Sequence, residues 1–187
     1  DCAPVIVGKI KAGEDIPTRP PSKRQWRVKS EFTATELKER RQTRINKASG
    51  QNVRTFVAGE WTLEYDLAHS GLTQEVWQAA VLALADENIQ VGKVTKEDAI
   101  GAREAEFLAL AALELEAKAS HVYALFETEG ASKAIGAQYL SELLEHAVES
   151  GGMGVDELRS KLPSYVLDAI AYVTAPIPVT AAPEEQG

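Results

Sequence analysis

The residues of this 187-residue chain whose types could do chemistry are three histidines, one cysteine and two glycine-bearing stretches. A metal ion needs imidazoles and carboxylates at spacings that converge. His69, His121 and His146 show neither the HExxH spacing nor a Cys/His pattern. His121 falls near Glu114 and Glu116, and Glu142 shares a helical face with His146 at i, i+4. A carboxylate-bridged di-metal bundle wants Glu-x-x-His on two helices plus two more glutamates, and neither helix has that spacing. Nucleophilic catalysis has no Gly-x-Ser-x-Gly elbow to work from, and Cys2 has no neighbouring base. For phosphates, Val7-Gly8-Lys9 lacks the upstream glycine and the Ser/Thr of a P-loop, and Gly151-Gly152-Met153-Gly154 follows a helical pattern rather than a strand. The expectation is a protein that is not an enzyme, with no metal and no cofactor.

One stretch has a family likeness. Leu143-Leu144-Glu145-His146-Ala-Val-Glu149-Ser150, then Val155-Asp-Glu-Leu158 and Val166-Leu-Asp168-Ala-Ile-Ala-Tyr-Val-Thr174, resembles the segment after the His-Asp doublet in HD-domain phosphohydrolases of the guanosine-tetraphosphate type. The resemblance covers 143–174 and implies a degenerate HD-type phosphohydrolase-like protein. Glu145-His146 stands where the metal-binding doublet belongs, and the upstream His-Pro region is absent. Without those ligands metal-activated hydrolysis does not follow.

The strongest chemical signal is charge. Residues 1–54 carry 13 Lys+Arg and 6 Asp+Glu, net +7; residues 55–187 carry 7 and 22, net −15. Such a division points to different partners for the two halves, or to each other in neighbouring copies. Lys23, Arg24, Trp26, Arg27 and Lys29 form a basic cluster around one aromatic anchor, and Arg40, Arg44 and Lys47 fall on one helical face at i, i+4, i+7. These eight are the candidate partner-binding residues. An acidic protein surface suits them; nucleic acid is the alternative, with Trp26 stacking on a base. A helix pair over 154–171 could mimic a helix-turn-helix, but Arg159 and Lys161 are its only cations, poor for a groove reader.

The elements that position these residues follow from periodicity. Residues 1–31 read as an extended basic arm with Pro4, Pro17, Pro20 and Pro21. Residues 32–70 read as a capped basic helix plus a β-hairpin. Thr33-Ala-Thr-Glu36 is a capping box, Phe32 and Leu37 form its hydrophobic staple, and the helix should stop near Ser49-Gly50. Val53 to Leu67 alternates, with Trp61, Leu63, Tyr65 and Leu67 on one face, which predicts the hairpin. Residues 71–174 read as an acidic helical body: a helix from Thr73 to about Ile89, a cap at Thr95, and one long pattern over 96–128. Being apolar nearly all round between Ala105 and Phe126, that last helix should be central, buried and about 50 Å long. Gly130 and Ser132 introduce a helix over 133–149, followed by short helices over 155–162 and from Pro163 to Val173. Residues 175–187 are a Pro/Ala-rich tail. The fold class is mainly α: a helical bundle of about five helices with one β-hairpin and an extended N-terminal arm.

With 44% apolar and 26% charged residues a core can form. No apolar run approaches the ~18 residues of a membrane span, no secretory signal is read, and one cysteine forms no internal disulfide. The expected role is a structural or assembly subunit of a large protein complex, binding other subunits and copies of itself through the arm. A phage-type virion component (capsid decoration, connector or tail assembly) is the most concrete form of that reading. The expected location is the reducing cytoplasm or a virion.

Overall fold

In the computed structural model, which describes residues 2–3, 27–28, 31–48 and 54–175, the chain is mainly helical. Helix α1 (Ala34–Ala48) starts at the capping box: the Thr33 backbone N–H donates to Glu36 Oε2 at 2.7 Å, and the Glu36 N–H donates to Thr33 Oγ1 at 3.2 Å. Its expected stop at Ser49-Gly50 lies outside the described residues, as do most of the 1–31 arm and nearly all of the 175–187 tail. Within the arm, Cys2–Ala3 pairs in parallel with Arg27–Val28.

The hairpin expected from 53 to 67 is not there. Val53 lies outside the described residues, 54–58 are irregular, and Leu63–Leu67 is helix α2. The reason is Asp66. Its carboxylate, 4% exposed, accepts the backbone N–H groups of Gly59 at 2.5 Å, Glu60 at 3.0 Å and Trp61 at 2.8 Å. Thr62 Oγ1 accepts the Tyr65 amide at 3.3 Å and caps α2. One side chain thus holds three successive amides in a tight loop ahead of α2, and the backbone curls instead of extending. Consecutive residues Tyr65, Asp66 and Leu67 then all turn inward, which an alternating strand cannot do, while Leu63 is left 49% exposed.

Five residues of wide helical turn, Ala68–Leu72, carry the chain from α2 into α3 (Thr73–Gln90). Gly71 sits there at φ +122, a conformation that side-chain-bearing residues rarely adopt. Thr73 Oγ1 donates to the Ala68 carbonyl at 2.7 Å, and Ser70 Oγ donates to the Lys161 carbonyl at 2.5 Å, which ties this turn to a distant part of the chain.

The expected unbroken helix over 96–128 is instead three helices: α4 (Lys96–Gly101), α5 (Glu104–Ala109) and α6 (Leu115–Glu127), with a 3₁₀ turn at Leu110–Ala112. Arg103 leaves helical geometry (φ −116, ψ 5), and Leu113 and Glu114 are extended. The breaks let Phe107 reach Trp77 of α3, ring centroids 5.0 Å apart, while α6 turns back to bury most of 119–126. A straight rod could not do both. The central helix is α3, whose buried Val76, Trp77, Ala79, Ala80, Val81 and Leu82 cover most of its circumference.

Gly130 (φ +85) ends α6, and Ser132 Oγ accepts the Ile135 amide at 3.4 Å to begin α7 (Lys133–Glu149). Helices α8 (Val155–Lys161) and α9 (Ser164–Thr174) follow, the latter starting just after Pro163. α3 packs most extensively on α7, then on α6. Gly136 permits the close approach: a Cβ there would stand 2.9 Å from Phe126 Cε1. The larger core cluster runs from Tyr65 and Leu72 through Val76 and Val81 to Val122 and Phe126; a smaller one joins Ala79, Leu82, Ala99 and Tyr139. The Tyr139 hydroxyl donates to Asp86 Oδ1 at 2.7 Å, and burial and then the Asp86 carboxylate push its pKa up to about 12.

Two outcomes test this account. Asp66→Ala should lower unfolding free energy by about 3 kcal/mol in urea, because three amides lose one buried acceptor; a loss below about 1 kcal/mol would remove Asp66 as the organiser of 59–67. Tyr139 gains a proton-holding preference on folding, so the stability it contributes is complete below its ordinary pKa of about 10 and is lost as pH rises to about 12. The stability difference between wild type and Tyr139→Phe should shrink across that alkaline window, and a flat difference would contradict it.

Candidate interaction surface

The sequence places its partner-binding residues on the arm and on α1. Lys23, Arg24, Trp26 and Lys29 lie outside the described residues, and Arg27 is described only as backbone in the short parallel pairing. Arg40, Arg44 and Lys47 are all exposed on α1, and Arg40 and Arg44 line one groove with Phe32, Glu36, Glu39 and Thr43. None of the side chains of 34–47 is buried, and no other described element packs extensively on this helix. Its five cations and two carboxylates give it a net charge of +3.

What anchors α1 is its first turn. Phe32 is buried against Trp61, ring centroids 6.0 Å apart, and the Arg40 guanidinium lies over the Phe32 ring at 5.1 Å. Trp61 in turn sits in the loop that Asp66 ties down. The staple pattern marked Phe32 in the sequence; nothing local marked Trp61 as its partner, because the two are 29 positions apart. A second aromatic junction was equally invisible. Arg54 lies over both Phe56 (5.2 Å) and Tyr172 (5.3 Å), and those rings are 5.8 Å apart, so the irregular 54–58 stretch rests on α9.

The acidic body presents a contrasting surface. A cleft of ≈ 310 Å³ opens between α3, α5 and α6, with Trp77, Leu110 and Leu125 among its apolar lining and Glu106, His121 and Glu129 among its polar lining. Arg103 closes one side: its guanidinium donates to Glu106 at 2.6 and 2.9 Å and pairs with Glu129 at 3.0 Å. The hydrogen bonds to Glu106 come first among the causes that raise the Arg103 pKa above its ordinary value. His121, expected on a buried helix, is exposed, since the break at Leu113 and Glu114 resets which face of α6 turns inward.

The remaining histidines are dispersed. His69 stacks on Tyr65 at 5.7 Å, and His146 is exposed. Glu142, its helical neighbour, pairs with Lys96 at 2.5 Å. Among the described residues no three His, Cys, Asp or Glu side chains come together as a metal site. The Glu145-His146 pair of the HD-like segment is exposed on α7. No described helix is long and apolar enough to cross a membrane.

Phe32→Ala should detach α1 while sparing the core. Truncating a buried phenylalanine costs about 3 kcal/mol, which predicts amide exchange over 34–47 faster by on the order of 100-fold, with α3 and α7 unchanged. Equal acceleration everywhere would show that α1 is part of the main cooperative unit.

No protein-family model, curated protein or solved structure matches the chain.

Proposed function

We propose that the chain is a non-enzymatic structural subunit of a larger protein assembly, joined to its neighbours through its basic leading segment. The observation that carries this reading is α1: fifteen residues long, charged +3, and without one buried side chain along 34–47. A helix of that length is marginal in water, and packing normally supplies its stability. Phe32 supplies some at one end, and Leu37, Arg41 and Ile45 are half-buried. The rest must come from a surface that welcomes Arg40, Arg44 and Lys47. An acidic protein surface does so, and the region after residue 54, at −15, is one.

The basic segment before α1, with Lys23, Arg24, Arg27 and Lys29, belongs to the same reading by its charge. The exposed apolar side chains of α9, with Val173 at 75%, add a face suited to burial in an assembly.

Sedimentation of the full chain and of a chain beginning at residue 32, each at low ionic strength and at ~1 M salt, tests the proposal. At ~1 M the screening length is roughly 3 Å and exposed charge pairs fail. The full chain should assemble at low salt, weaken at high salt, and assemble less well without its first 31 residues. Monomers throughout would overturn the reading. A steep linear fall of log affinity for duplex DNA with log salt would instead assign the cations to phosphates.

A further inference from the structure

We infer that the cleft between α3, α5 and α6 receives helix α1 of a second copy of this chain. The inference rests on the assembly reading above and names the surface on which that assembly is built. Residues 104–116, which supply one wall, hold Glu104, Glu106, Glu114 and Glu116 and no Lys or Arg. The same stretch leaves Leu108 63% and Leu115 45% exposed, an unusual cost for two leucines in so acidic a setting. From this stretch Glu106 and Leu110 line the cleft, and Trp77 and Leu125, both buried, form its apolar floor. Arg103 offsets one of the two carboxylates it holds, so the rim formed with Glu106 and Glu129 stays negative.

Helix α1 matches this surface feature for feature. Arg44 and Lys47 are exposed, and Ile45 beside them is half-buried and apolar. Seated on the wall, Arg44 and Lys47, on one face of α1, meet the carboxylates. The chain's own α1 is not the occupant. Its first turn is held at Trp61 beside α2, and no α1 residue lines the cleft. A second copy therefore supplies it, and the contact joins two different surfaces. Such a head-to-tail contact leaves one donor and one acceptor free on every pair, so it propagates into a ring or filament rather than stopping at a symmetric dimer.

Head-to-tail geometry permits a complementation test. The donor variant is Arg44→Glu/Lys47→Glu and the acceptor variant is Glu104→Lys/Glu114→Lys, each checked for a wild-type circular dichroism spectrum. Wild type should form assemblies larger than dimers at low salt, and each variant alone should lose self-association by on the order of tenfold or more. Mixed, the two variants pair their unaltered donor with their unaltered acceptor, and their reversed charges are again opposite to one another, so association should return. Assembly that survives in either variant, or a mixture that stays monomeric, overturns the inference and leaves the subunit reading standing. A wild-type chain that stays monomeric overturns both. Should a charge reversal unfold the chain, Arg44→Gln/Lys47→Gln and Glu104→Gln/Glu114→Gln apply the same test with neutral side chains.

Discussion

The buried carboxylate of Asp66 is the constraint from which the rest of the fold follows. A polar side chain taken out of water must be given partners, and Asp66 receives three backbone amides from 59–61. Satisfying it bends the chain into α2, which turns Tyr65 and Leu67 together into the core. From there the wide turn at Ala68–Leu72 aims α3 through the centre. The same loop presents Trp61, on which Phe32 rests, so the one described aromatic anchor of α1 also depends on it. The Tyr165 hydroxyl is buried nearby, without a hydrogen-bond partner of good geometry among the described residues; burial, with Asp66 and Glu64 adding to it, raises its pKa.

Around α3 the structure solves a packing problem with small residues and broken helices. Gly136 and Ala79 let α7 lie close, and Phe126 fills the notch that Gly136 leaves. The breaks at Arg103 and Leu113 let one apolar stretch cover two sides of α3, with Phe107 on Trp77 and α6 beyond it. They also create the cleft, since the short α5 stands off from α6 and is pinned across the gap by Arg103.

Charge then distributes what packing leaves over. The body carries most of the carboxylates, and several exposed ones are paired locally, as Glu142 is with Lys96 and Glu157 with Lys161. Such exposed pairs add little stability. What matters more is the imbalance between a cationic helix with no fully buried side chain along 34–47 and an anionic body with exposed leucines. Among the described residues the two halves meet where Phe32 rests on Trp61 and where Arg54 lies over Phe56 and Tyr172. That complementarity is what the proposed assembly would draw on.

Much of this was legible in the sequence because its signals are local. Capping boxes and N-caps at Thr33, Thr95 and Ser132, the glycine stop at Gly130 and the proline before α9 act within a few residues of themselves, and each stands where its spacing placed it. The charge division is likewise a property of composition. Two expectations failed because they rested on periodicity alone. Alternation over 53–67 could not reveal that one of its outward polar residues would be buried and claim the backbone for a helix. The apolar run over 96–128 could not reveal that its partners lie on two sides of α3. Whether Trp61 meets Phe32, whether Arg103 bridges to Glu129, and where an acidic cleft opens all depend on residues far apart in the chain. Only tertiary packing brings such residues within reach, because the energy that decides each contact exists only once the rest of the fold has formed.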